Sequence, residues 1–162
     1  MISAMLGNIT TTSAQAIVNS ANPSLLAGGG VCGAIHRAAG PQLELECRKI
    51  GVIASGEAIL TDAFYLPAQY VIHAVGPRYL DGNRGEAETL AQTYRSICAL
   101  VEEYTITSVS IPSIGTGIYR FPLELAAETA VATLKKGLPS SCVATFICFD
   151  DATLAAYAER LK

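Results

Sequence analysis

Apolar residues cluster in short runs along this chain, and the runs alternate with longer stretches of helical spacing. Ile2–Leu6, Ala16–Val18, Ala58–Leu60, Tyr70–Val75, Ser108–Ile111 and Ala144–Phe149 are short and rich in Val, Ile and aromatics, which predicts strands. Gly33–Ala39 and Gln42–Ile50 predict a first pair of helices, broken at Gly40-Pro41. Glu86–Tyr104 predicts a long helix with Leu90, Tyr94, Ile97, Cys98 and Val101 along one face. Leu123–Gly137 starts after Pro122, a residue suited to a helix's first turn, and Asp151–Leu161 closes the chain with Asp150 or Asp151 as its cap. Strands alternating with helices predict an α/β sheet covered on both faces. The almost wholly apolar Ala144–Phe149 is expected to be an interior strand. The polar Tyr79–Gly85 segment is expected to be a mobile loop.

The sequence shows no repeat, linker or low-complexity tract, and 162 residues predict one domain over 1–162. Hydrophobic residues make up 51% and charged residues 15%, a balance that supports a core and opposes disorder. The net charge is −3, so no basic excess exists to hold a nucleic-acid backbone non-specifically. No run approaches the roughly 20 apolar residues of a membrane span, and the start lacks the pattern of a signal peptide. A cytoplasmic protein is expected. The five cysteines form no C-x2-C pair, which suggests neither a disulfide framework nor a zinc site. Cys98 and Cys148 read as small buried hydrophobes.

The chemistry concentrates in two loops. Gly28-Gly29-Gly30 exposes backbone N–H groups without side chains, and a helix start follows at Gly33. Bare amides in front of a helix N-terminus form an anion site. The alternative is a tight strand-to-helix turn without ligand. Gly28-x-Gly30-x-x-Gly33 also matches the dinucleotide fingerprint, but about nine residues separate it from Val18. The acids at the required distance, Glu44 and Glu46, lie in a helical pattern. Both departures disfavour a nicotinamide-dependent dehydrogenase. The second loop, Ser113-Ile114-Gly115-Thr116-Gly117-Ile118-Tyr119, follows a strand and again permits close backbone approach. Ligands in such sheets bind beyond the carboxyl ends of strands, where two such loops would clamp a diphosphate. Asn19 and Asn22 sit where their strand exits, either ending it or bonding sugar hydroxyls. His73, alone in a strand, reads as a satisfied core group, and spacing implies no Ser-His-Asp or Cys-His arrangement.

Taken together, Gly7-Asn8-Ile9-Thr10, Ile17–Asn22, Gly28–His36, Gly56-Glu57-Ala58, Tyr70–Pro77 and Ile111–Pro122 resemble the macrodomain family, in the same order and over nearly the whole chain. The resemblance implies a three-layer α/β/α sandwich with a mixed sheet. It implies binding of ADP-ribose or an ADP-ribosylated protein, with no cofactor and no metal. It often goes with hydrolysis of ADP-ribose attached to proteins or to acetyl groups. The site residues follow from the same resemblance. Asn8 stands where an Asp usually accepts from the adenine amino group, and its carbonyl is expected to accept that bond. The Ile9 backbone helps read adenine. Gly28, Gly29, Gly30, Val31 and Cys32 meet the distal ribose and one phosphate. Ser113, Ile114, Gly115, Thr116, Gly117, Ile118 and Tyr119 wrap the diphosphate, with Tyr119 against the ribose. Asn22 bonds the distal-ribose hydroxyls beside C1″, and Asn19 is a further ligand-binding residue. Arg120 either touches a phosphate or points to water. Cys32 replaces an Asp that activates the attacking water in similar hydrolases. Asn22, Cys32 and Tyr119 are thus the candidate catalytic residues. A non-catalytic reader and an ADP-ribose 1″-phosphate phosphatase are the competing functions.

Overall fold

A computed structural model describes residues 1–162. Its strands are β1 (Ile2–Leu6), β2 (Ala16–Ala21), β3 (Ala58–Asp62), β4 (Tyr70–Val75), β5 (Ser108–Ile111) and β6 (Val143–Cys148). Its helices are α1 (Gly30–Ala39), α2 (Pro41–Ile50), α3 (Glu86–Glu103), α4 (Leu123–Gly137) and α5 (Asp151–Arg160), with a 3-10 turn over Ile9–Thr11. The strands form one sheet in the order β1-β6-β5-β2-β4-β3. All neighbours are parallel except the β3–β4 pair, so the sheet is mixed.

Two separate cores make the layers. On one face, Leu90, Tyr94, Ile97, Cys98 and Val101 of α3 pack with α4, α5 and the sheet in a cluster of 25 buried residues. On the other, Ile35, Ala39, Leu43 and Cys47 of α1 and α2 join a cluster of 14. The apolar stripe predicted for α3 therefore faces the sheet, each fully buried Leu, Ile or aromatic contributing roughly 1.5–3 kcal/mol. Asp150 caps α5, accepting from the Thr153 amide at 2.8 Å. All five cysteines are free and buried. Burial pushes the Cys98 and Cys148 thiols up to about 11, in keeping with small hydrophobes.

Three expectations need correction. β2 runs on to Ala21, so Asn19 and Ser20 lie within the strand rather than at its exit. Pairing with β4 carries β2 this far, with Asn19 opposite His73 and Ala21 opposite Val75. Helix α1 opens at Gly30, so Val31 and Cys32 stand in its first turn and not in a loop. The Tyr79–Gly85 segment is tied down. The Glu86 carboxylate accepts amides from Leu80, Asp81, Gly82 and Arg84 at 2.8–3.1 Å. These bonds, the Leu80 amide foremost, hold the Glu86 carboxyl down at about 2.

Candidate functional site

Parallel pairing decides where the loops meet. β2 and β5 are parallel neighbours, with Ala16 opposite Val109 and Ile17 opposite Ser110. Their carboxyl ends point the same way, and each continues into a glycine loop. β1 and β6 end at the same edge, tied by the Gly7 amide to the Cys148 carbonyl at 3.0 Å. The edge thus presents Asn8, Phe149, Ser113 and Asn22 in strand order β1, β6, β5, β2. Three inter-strand spacings span about 14 Å.

The first loop is shaped by glycine. A Cβ on Gly33 would lie 2.3 Å from the Gly28 carbonyl oxygen, so only glycine lets the loop close onto α1. Gly30 has φ +56°, where a side chain is strained. Gly29 caps α1 without a side chain and has open space around its would-be Cβ. The loop thus stands at the N-terminal, positive end of α1, with open space around Gly29 and Gly30. Asn22 holds the approach. Its Oδ1 accepts from the Ser24 amide at 3.0 Å and from the Ser24 hydroxyl, while its Nδ2 donates to the Leu26 carbonyl at 2.9 Å. Nδ2 lies 3.5 Å from where a Gly28 Cβ would be, and its second hydrogen has no partner within the protein.

The second loop is built on its own backbone and on α5. The Phe121 amide donates to the Gly115 carbonyl at 2.9 Å, and the Arg120 amide to Gly117 at 3.0 Å. Gly115 has φ +89° and Arg120 φ +60°. Ser113 Oγ bonds the Tyr157 hydroxyl at 2.9 Å and accepts from Thr116 Oγ1 at 2.9 Å. Tyr119 anchors the clamped 80–84 segment, its carbonyl accepting the Tyr79 amide at 2.9 Å. The Arg78 guanidinium lies over the Tyr119 ring, 5.5 Å from its centroid. Arg78 and Arg120 are exposed and enter no ion pair, so both charges are available at this loop.

Several expected site residues have other duties. Asn19 is fully buried and cannot touch a ligand in this arrangement; its Nδ2 donates to His73 Nδ1 at 3.1 Å. Cys32 is only 6% exposed. Its thiol lies 3.6 Å from the Leu26 carbonyl and 3.8 Å from Asn19 Nδ2, turned into the protein rather than presented to water. The side chains of Ile9 and Ile114 are buried in the two cores, so only their backbones can serve a ligand. Val31 packs against the smaller core. Ile118 is 91% exposed and Thr116 is half-buried. Asn8 caps the 3-10 turn, and its Oδ1 accepts from both Thr10 Nα at 3.0 Å and Thr10 Oγ1 at 2.6 Å. The carbonyl expected to meet adenine is therefore already engaged.

Phe149 escaped the sequence reading, which counted it into a buried strand. It lies one residue past β6 and is 77% exposed, an open aromatic ring at the sheet edge where β1 and β6 end. The signal available was its position between an apolar run and Asp150-Asp151. Glu86 also escaped; only the fold returns four amides to one carboxylate.

The Macro domain profile matches residues 18–130, and the chain belongs to that family. A macro domain-containing protein of Chlorobaculum tepidum is 46% identical over 99% of this chain and 95% of its own length. A Klebsiella pneumoniae protein named O-acetyl-ADP-ribose deacetylase is 47% identical over 97% of this chain and 94% of its own. Among solved structures, an Oceanobacillus iheyensis macrodomain with ADP superposes with a TM-score of 0.93 at 37% identity, covering 98% of this chain and 88% of that one. A Trypanosoma brucei macrodomain in complex with ADP-ribose does so at 0.90 and 34%, covering 99% and 69%. The three-layer architecture and mixed sheet expected from the resemblance are those of this chain.

Proposed function

We propose that the chain binds ADP-ribose across this sheet edge and hydrolyses ADP-ribosyl esters, releasing ADP-ribose from modified carboxylates or acetate from O-acetyl-ADP-ribose. The observation that carries this reading is the order of groups along the edge: Asn8 and an exposed ring at the ends of β1 and β6, then the glycine loop after β5, then Asn22 and the other glycine loop after β2. Base, diphosphate and distal ribose follow in the same order along ADP-ribose. With a net charge of −3, the diphosphate is held mainly by loop amides and the α1 end, helped by Arg78 and Arg120. Phe149 offers its face to the base, Asn8 meets position 6 of the purine, and the free Asn22 N–H bonds the distal ribose. The names of the Klebsiella, Oceanobacillus and Trypanosoma relatives support the same ligand class.

In hydrolysis of the acetyl ester, water adds to the ester carbonyl. The tetrahedral oxyanion then collapses with cleavage of the bond between the carbonyl carbon and the ribose oxygen; one proton of the water passes to that oxygen, giving the ribose hydroxyl, and the other goes to solvent as acetate leaves. Amides of the first loop, fixed before substrate arrives, stabilise that oxyanion. The buried Cys32 thiol is not the base. The water is oriented by the loop backbone and by the substrate's own phosphate. Calorimetry with ADP-ribose, alongside an assay for acetate and ADP-ribose release, tests both halves. Binding without turnover would make the protein a reader, a role that the sequestered Cys32 also suits. Absence of binding would overturn the reading altogether.

A further inference from the structure

Three hydroxyls stand in line at the second glycine loop. Thr116 Oγ1 donates to Ser113 Oγ at 2.9 Å, and Ser113 Oγ meets the Tyr157 hydroxyl at 2.9 Å. The first two belong to the loop and the third to α5. Tyr157 is fully buried, its ring packed on Phe146 of β6 with centroids 4.4 Å apart. Burial pushes its hydroxyl up to about 12, so it stays protonated and serves as a donor rather than as a base. A hydroxyl has one hydrogen to give. Were Ser113 the donor, the Tyr157 hydrogen would be stranded in the core, where an unmet O–H is costly. Its other polar neighbour, the Tyr94 hydroxyl, is buried without a hydrogen bond. Tyr157 therefore donates to Ser113. Ser113 Oγ then accepts two bonds, one from the core and one from Thr116, and its own hydrogen has no acceptor in the protein. Ser113 is half-buried, two residues past the end of β5.

We infer that Tyr157 is a positioning residue for the ligand: from inside the core it fixes the Ser113 hydroxyl as a donor to a diphosphate oxygen. The inference rests on the ADP-ribose reading, which sets the diphosphate at this loop. Tyr157 itself touches no ligand. It acts through Ser113, and the bond from Thr116 to Ser113 passes the same restraint along the loop. An O–H whose direction is set before binding gives up less freedom when it bonds. A hydrogen bond to a charged acceptor changes affinity about tenfold or more, and a neutral one about threefold to tenfold.

The test is calorimetry with ADP-ribose on the natural protein, Ser113→Ala, Tyr157→Phe and the double variant, with the melting temperature of each measured without ligand. Tyr157→Phe keeps the packed ring and removes only the hydroxyl. Ser113→Ala should weaken binding about tenfold, and Tyr157→Phe at least about threefold. The double variant should bind no more weakly than Ser113→Ala alone, because Tyr157 then has nothing to orient. A hydroxyl that served only the core would lower the melting temperature and leave Kd alone. Tyr94→Phe is the control: it removes a neighbouring buried hydroxyl that makes no hydrogen bond, and its Kd should match the natural protein's. An unchanged Kd in Tyr157→Phe, an equal loss in Tyr94→Phe, or losses that add in the double variant would overturn the inference while leaving the ADP-ribose reading standing. Ser113→Ala probes the same bond from the loop side, so an unchanged Kd there would overturn it even if Tyr157→Phe folds poorly. Failure of the natural protein to bind ADP-ribose would overturn both.

Discussion

Asn19 Nδ2 donates to His73 Nδ1 at 3.1 Å, across Cα partners of the β2–β4 pair. Nδ1 is thus the acceptor, and Nε2–H is left to donate to Thr61 Oγ1 at 3.0 Å. Thr61 Oγ1 in turn donates to the Asp62 carbonyl at 3.0 Å. The network fixes a neutral tautomer beneath the first glycine loop. A protonated ring would set two donors face to face at Nδ1.

That arrangement sets a pH dependence. Burial, with a smaller push from His36, drives the His73 ring down to about 3 from its ordinary 6.5. The folded pKa lies below the unfolded one, so the unfolded chain binds the extra proton. Stability is therefore full above pH 6.5 and lost as pH falls from there toward 3. Burial also lowers the His36 ring, which adds to the loss in the upper part of that window. Each such proton contributes a slope of up to about 1.4 kcal/mol per pH unit. Denaturant unfolding of the natural protein between pH 7 and 4.5 should show this slope, reduced in His73→Gln relative to its own pH 7 value. Parallel profiles for the two proteins would dissociate His73 from acid sensitivity.

Gly29→Glu should fold normally and lose ADP-ribose. The would-be Cβ meets nothing within 4 Å, and the backbone there is ordinary extended chain. The new carboxylate would stand at the mouth of the amide cluster and repel the diphosphate. Each charge-assisted amide bond lost is worth about 1.5–3 kcal/mol. An unchanged melting temperature without ligand, together with at least a tenfold weaker Kd, is the expected result. Affinity near that of the natural chain would remove the diphosphate from this loop.

ADP-ribose at a hundredfold excess over its Kd should add about 2.7 kcal/mol of stability, whereas NADH should show no redox turnover. A thermal-shift series up to millimolar ligand measures the first, and absorbance at the nicotinamide band measures the second. A flat melting temperature would contradict binding.

Cys32 separates two routes for the attacking water. Its thiol is buried and turned toward Leu26 and Asn19, so Cys32→Ala should keep most activity and all binding. In Cys32→Asp, Asn19 Nδ2 and the α1 dipole would hold a carboxylate. If that group reaches the water, general-base assistance of about 10²–10⁴-fold becomes available. Turnover of the three proteins on one ADP-ribosylated carboxylate decides. Collapse of activity in Cys32→Ala with binding intact would make the thiol a participant after all.

Glu86→Ala should loosen the 80–84 segment, because four amides lose one acceptor. Hydrogen exchange at Leu80, Gly82 and Arg84 should accelerate. ADP-ribose should bind less tightly, since Tyr79 bonds the second glycine loop at Tyr119. Unchanged exchange would show that other contacts hold the segment.

The sequence by itself determined the succession of strands and helices, the buried stripe of α3 and the position of both glycine loops. These are local properties: periodicity, Gly and Pro punctuation and bare amides are written in neighbouring residues. The motif order carried the macrodomain assignment for the same reason. Side-chain duties were decided only by tertiary structure. Asn19 and Asn22 look alike three residues apart, but β2 pairing with β4 draws the first onto His73 and leaves the second at the edge. Phe149 reads as one more apolar strand residue until β6 ends at Cys148 and sets its ring in the open. Asn8 reads as offering a carbonyl until the 3-10 turn folds Thr10 back onto it. In each case a side chain's free donors and acceptors are those left after its neighbours in space have taken theirs, and those neighbours are fixed by the fold.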